Sequence, residues 1–251
     1  MSMIANPGSY SVSNFISFMD EVYFRLFERQ FEAWWPAHLL MLGLGIGIIV
    51  LACLAKIRTL AVTLAIPFAA CAITFHLQLY AELTPVGKFF GWAFLIQIPL
   101  ILIWGFVTKS RETFRPNIPT VTGAAIATFG IVAYPILALF AERELPGAEY
   151  FGMAPDPTIC LFLGIALICA RPIWFLLLLP IPLLWAATTG ATLDSFEAPF
   201  AMTLPIIATI TVAASVWKAI FHRQPAFSVA DKMTSPLAGE IPQMKKQPKP
   251  D

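Results

Sequence analysis

The chain has 251 residues, of which 58% are hydrophobic and 12% charged, with a net charge of +1. Soluble domains average about 25% charged residues, so lipid is the expected solvent for most of this chain, and its mean hydropathy of +0.76 agrees. A net charge this small, with no basic stripe to neutralise several phosphates, argues against nucleic acid as a partner.

Residues 1–35 lack the basic start and continuous apolar core of a signal peptide and contain Asp20, Glu21, Glu28 and Glu32, so they are expected to be retained. Within them Phe15, Met19, Val22, Tyr23, Leu26, Gln30 and Trp34 follow helical spacing, while Glu21, Arg25, Glu28, Arg29 and Glu32 fall mostly on the opposite face. That pattern predicts an amphipathic helix in the membrane interface, with Trp34 and Trp35 as aromatic anchors before the turn at Pro36.

A spanning helix needs about 20 mostly apolar residues. Seven segments approach that length, namely Pro36–Ala55, Thr59–Ala81, Phe89–Val107, Val121–Ala141, Pro157–Ala170, Pro172–Thr192 and Pro199–Phe221. The loops between them are short, which predicts one all-α membrane domain over residues 36–221 with no soluble module. The fifth segment is the short one: its 14 residues cover only about 21 Å at the α-helical rise.

Threading the segments alternately decides how that short segment is read. With the amino terminus outside, Lys56, Arg58, Lys109, Arg111, Arg115, Arg171, Lys218, Arg223 and the basic tail all fall inside, leaving Arg25, Arg29, Lys88 and Arg143 outside. Twelve of 16 basic residues then share the inner side with four of 15 acidic ones, as the positive-inside rule expects. If the fifth segment did not cross, everything after it would invert and the bias would be lost. It is therefore expected to span, extended by Tyr150–Asp156 or seated where the protein is thin. Residues 222–251, ending in "MKKQPKPD", predict a disordered cytoplasmic tail.

Polar groups inside the spans are the candidates for function, because each is costly in hydrocarbon. His38 and His76 lie at comparable depth near the outer face. Gln78 and Glu82 follow His76 along the same helix, and Glu142, Asp156 and Asp194 fall on the same side. Such a group suits a solute pocket, a proton relay or a metal site, although no pair of ligands has diagnostic spacing. Gln97 is placed to hydrogen-bond backbone freed by a proline kink or to bridge helices. Prolines at 67, 99, 135, 180, 182 and 205 predict bends or breaks in five of the seven spans.

The four cysteines lie in or beside apolar segments without CxxC spacing and read as small buried hydrophobes. No GxSxG, HExxH, Walker or dinucleotide pattern occurs, so a catalytic role is not expected and no cofactor is indicated. Haem ligation by His38 and His76 has no supporting motif.

In order, "FEAWWPAH", "TFHLQLYAELTPVGKFFGWAFLIQ", "AYPILA", "GAEYFGMAPDPT" and "PIPLLWAATTGATLDSF" resemble an uncharacterised family of bacterial multi-pass membrane proteins. The resemblance runs from Phe31 to Val212 and rests on Trp35, Pro36 and Ala37, His76, Thr84 and Pro85, Tyr134 and Pro135, Phe151 and Gly152, Pro155, Pro157 and Thr158, and Leu184 and Trp185. It departs at Thr84, where the family carries Asn, and at Asp156, where it often carries Cys. The resemblance implies a bacterial inner-membrane location and directs attention to His76 and the Pro155 loop, without an activity.

Taken together, the residues predict a seven-helix membrane protein, amino terminus outside and carboxyl terminus cytoplasmic, embedded in the lipid bilayer. An outer polar cluster of His38, His76, Gln78, Glu82, Gln97, Tyr134 and Asp156 is expected to bind or pass a small solute or cation. The rival expectation is a non-catalytic accessory subunit docked on other membrane subunits.

Overall fold

A computed structural model describes residues 20–108 and 116–221. Phe15, Met19, the segment bearing Lys109, Arg111 and Arg115, and the tail from His222 lie outside the described residues. Among the described residues every regular element is helical.

The elements in chain order are α1 (Asp20–Trp34), α2 (Ala37–Cys53), α3 (Ile57–Leu83), α4 (Pro85–Val107), α5 (Ile118–Phe140), α6 (Pro155–Cys169), α7 (Pro172–Leu178), α8 (Pro180–Ser195) and α9 (Thr203–Phe221). By length and composition α3, α4, α5 and α9 are each able to cross a membrane. The number rises to six if α1 with α2 and α7 with α8 are each taken as one bent crossing. The bends are 95° between α1 and α2 and 56° between α7 and α8.

The amphipathic first helix uses its apolar face against the bundle. Tyr23, Leu26, Phe27 and Gln30 are buried, and the Gln30 amide donates to the Thr74 hydroxyl at 2.8 Å and to the Met153 carbonyl at 3.0 Å. Val22 and Trp34, expected on the same stripe, stay more than a third exposed.

The short fifth segment is the centre of the fold. All 15 residues of α6 are buried, so its sides meet protein rather than lipid. Residues 150–154, expected to lengthen this helix, instead form a turn in which Gly152 takes a positive φ of 78°. The Thr158 hydroxyl ties the turn to the helix, accepting from the Gly152 N–H at 2.9 Å and donating to the Ala154 carbonyl at 2.6 Å. Along the other side of α6, Gly164 and Gly123 let the α5 and α6 backbones touch: a Cβ on Gly123 would meet the Gly164 carbonyl at 2.6 Å. Small residues at a crossing are how membrane helices gain close packing.

At its far end α6 is closed by a lysine. Lys218 of α9 is buried and donates to the Leu167 and Ala170 carbonyls at 3.0 and 2.9 Å. These carbonyls lie at the end of a helix, where a cation also meets the negative pole of the helix dipole.

The prolines act unequally. Pro67 and Pro99 sit inside continuous helices, whereas Pro180 follows the break between α7 and α8. Pro135 sits two residues after a π-helical stretch, Phe129–Ala133, within α5. Its ring would crowd the carbonyl of Ile131 in a regular α-helix, and widening the preceding turn relieves that. A second π-helical stretch, Cys71–Tyr80, brings Cys71, Ala72, Thr74, Phe75, His76 and Tyr80 into the interior of α3.

Candidate functional site

Asp156 occupies the first turn of α6, where the exposed N–H groups and helix dipole favour negative charge. It is 1% exposed and collects three donors. The Trp185 indole N–H reaches Oδ1 at 2.6 Å, and the Tyr134 and Thr189 hydroxyls reach Oδ2 at 2.8 and 3.2 Å. Trp185 and Thr189 are four residues apart on α8 and so share a face, while Tyr134 directly follows the π-helical stretch of α5. The Tyr23 hydroxyl of α1 joins through a hydrogen bond with Thr189. The network satisfies the carboxylate entirely with neutral donors, and no cation contacts it among the described residues.

Tyr134 also lines a cleft of about 730 Å³ at the end of the bundle. The first half of α1, residues 141–149 and the α8–α9 connection form its walls. They contribute seven carboxylates (Asp20, Glu21, Glu28, Glu142, Glu144, Glu149 and Glu197) against only Arg25 and Arg143. This volume is in the range of small-molecule sites, and walls of one sign concentrate the opposite ion.

Glu149 is the most enclosed of these acids, 6% exposed. Burial first, and then the charge of Asp156, raise its carboxyl to about 8, with Arg143 opposing both. Arg143 meets it at 3.8 Å, donates to the Gly147 carbonyl at 3.1 Å and lies 4.1 Å from the centre of the Phe24 ring. The cleft thus already holds a guanidinium on an aromatic face.

The residues expected at the site divide into two groups. Tyr134 and Asp156 are in direct contact, and His76 adjoins them through Trp185. The imidazole is fully buried, with ring centroids 4.6 Å from Phe94 and 4.8 Å from Trp185, and neither nitrogen has a hydrogen-bond partner. His38 is held elsewhere, against Phe31 and Tyr150 at 5.0 and 5.3 Å, with its Nδ1 unpartnered. Gln78 is exposed, and Glu82 is exposed and paired with Arg29 at 3.0 Å.

Gln97 has a structural task. Its amide donates to the Leu178 carbonyl at 3.1 Å. That carbonyl's partner in a regular helix would be the N–H of residue 182, which is a proline, so Gln97 of α4 supplies the missing donor.

Among the described residues no group of three or more His, Cys, Asp or Glu side chains is placed to hold a metal ion. Trp185, Thr189, Glu149 and Arg143 were not singled out as site residues from the sequence. The spacing of Trp185 and Thr189 and the position of Glu149 seven residues before Asp156 are visible there, but nothing in them marks the carboxylate they surround.

The profile of a family of unknown function, DUF6064, matches residues 20–225, and the chain belongs to this family. No curated protein and no solved structure matches the chain.

Proposed function

We propose that the chain is an integral membrane protein that binds, and passes inward, a small cation-bearing solute taken from the acid-lined cleft. The observation that carries this reading is Tyr134: one side chain lines the cleft and hydrogen-bonds Asp156 in the bundle interior. A solute drawn in by the wall carboxylates would reach Glu149 and Tyr134 first, with Asp156 directly behind.

In this reading α6 completes seven crossings, short because protein rather than lipid surrounds it. Lys56, Arg58, Arg171 and Lys218 lie at the helix ends opposite the cleft, which supports an outward-facing cleft and a cytoplasmic basic face. The cleft also favours solute handling over an accessory subunit. Exposed apolar side chains run along α2, α4, α5 and α9 alike, as lipid contact requires, and do not gather into one docking flank.

The test is equilibrium binding by the full chain in lipid nanodiscs, using sodium, alkylammonium, guanidinium and neutral sugar probes at fixed ionic strength. Saturable binding of a cationic probe, weakened at least tenfold by Asp156→Asn or Tyr134→Phe, is expected. Binding of none of the cations, or binding indifferent to both substitutions, would overturn the reading.

A further inference from the structure

The charges around the cleft do not balance, and the imbalance bears on how a cation would be taken up. Asp156 and Glu149 are both enclosed, 1% and 6% exposed. Among the described residues Asp156 is met only by the neutral donors Tyr134, Trp185 and Thr189. Glu149 lines the cleft yet accepts no hydrogen bond among the described residues, and Arg143 approaches it no closer than 3.8 Å. One guanidinium therefore stands near two buried carboxylates and meets only Glu149, while also serving the Gly147 carbonyl and the Phe24 ring. Full ionisation would leave one buried negative charge uncompensated, a state that proteins avoid by binding a proton or a cation.

We propose that the Glu149–Asp156 pair exchanges a bound proton for a monovalent cation from the cleft, so that cation uptake and proton release are one event. The inference rests on the cation-binding reading above and adds the coupling ion. In the exchange the O–H bond of one carboxyl breaks, its electron pair stays on the oxygen, and the proton leaves to water in the cleft. The arriving cation replaces that positive charge, so charge is conserved and nothing is oxidised or reduced. Tyr134 links Asp156 to the cleft, since its hydroxyl touches the carboxylate while the residue is one of those lining the cleft.

The surroundings fit such an exchange. Burial and the neighbouring Asp156 hold the Glu149 carboxyl near 8, so its proton is present at neutral pH and within reach of displacement. The titratable groups around the pair are Tyr23 on α1, Cys71 and Tyr80 on α3, Tyr134 on α5, Cys160 on α6 and Arg143 beside Glu149, while Glu28 and Glu197 line the same cleft. Glu142 and Glu144 flank Arg143, and Arg25 is the other cation of the cleft. The carboxylates favour the incoming cation, and the ring of Phe24, already against a guanidinium, favours a guanidinium or alkylammonium head over a small metal ion.

The experiment uses the full chain in lipid nanodiscs, weakly buffered, titrated with methylguanidinium chloride or, in a parallel arm, sodium chloride. Heat reports binding and phenol red reports protons. Expected is release of about half a proton per bound cation at pH 8, approaching one at pH 7, with affinity falling about tenfold for each further unit of acidification. Glu149→Gln and Asp156→Asn should each abolish the release. Saturable binding with no proton release between pH 6 and 9 would overturn the exchange and leave the cleft reading standing, whereas no saturable binding of either probe would overturn both. The pH series on the unmodified protein decides the matter even if a variant fails to fold.

Discussion

The Trp185 indole N–H lies 2.6 Å from Asp156 Oδ1, and the same indole packs against the ring of His76 at 4.8 Å. One residue of α8 thereby joins the first turn of α6 to the interior of α3. Replacing Asp156 by Ala strands three buried donors at once, and hydrogen bonds to a charged group are worth about 1.5–3 kcal/mol each. Asp156→Ala should therefore lower unfolding free energy by more than about 3 kcal/mol, while Asp156→Asn, which keeps an acceptor and the shape, should cost clearly less. Thermal unfolding in detergent, followed by tryptophan emission, measures both; equal losses would contradict the network.

Gln97 gives a second prediction, because it serves a carbonyl that Pro182 cannot. Gln97→Leu leaves the Leu178 carbonyl buried without a donor and should cost about 1–3 kcal/mol. Restoring the missing N–H with Pro182→Ala in the same chain should recover much of that loss. A double-mutant cycle reads the coupling, and strictly additive effects would show that the two residues do not serve the same carbonyl.

How much of this was legible beforehand follows from which interactions are local. Apolar runs marked the helices well, since each is a contiguous stretch of sequence, and the placement of α4 and α5 differs from expectation only at their ends. The expectation that Gln97 satisfies backbone freed by a proline was correct in kind, but the proline is Pro182 on another segment rather than its neighbour Pro99. Tyr134 and Asp156, both among the expected site residues, are in contact, whereas His38 and His76, placed at one depth, lie in separate ring clusters. Depth is encoded in position along a helix, but azimuth depends on tertiary packing and on π-helical stretches that a regular 3.6-residue repeat does not anticipate. The acid cleft was legible only in part: the loop with Glu142, Glu144 and Glu149 reads either as an attractor of cations or as a solvated loop, and the carboxylates of α1 and the α8–α9 connection join it only through tertiary packing.

Lys218 should behave as a cap for α6 rather than as a surface charge. Lys218→Met keeps most of the apolar stem but removes the donors to Leu167 and Ala170, and is expected to cost about 1.5–3 kcal/mol. Lys218→Arg should cost less, because it retains charge and donors at the helix end. Hydrogen exchange of the last turn of α6, in nanodiscs, is the local readout: faster exchange there in the Met variant, and unchanged exchange at the Asp156 end, is the expected pattern.

Glu149 makes stability depend on pH in a direction opposite to that of a salt-bridged acid. Its carboxyl ordinarily titrates near 4.5 and is raised to about 8 by burial and by Asp156. Between those values the folded protein holds a proton that the unfolded chain has released, so the slope of unfolding free energy with pH is negative. Stability contributed by this group is therefore fully present below about pH 4.5, declines as the pH rises toward 8, and changes little beyond. The midpoint of thermal unfolding in detergent should fall steadily between pH 5 and 8, and Glu149→Gln, which cannot ionise, should flatten that decline. A wild-type midpoint that rises over the same interval, matched by the variant, would mean that Arg143 compensates the Glu149 charge in full and that the cleft holds no titrating carboxyl there.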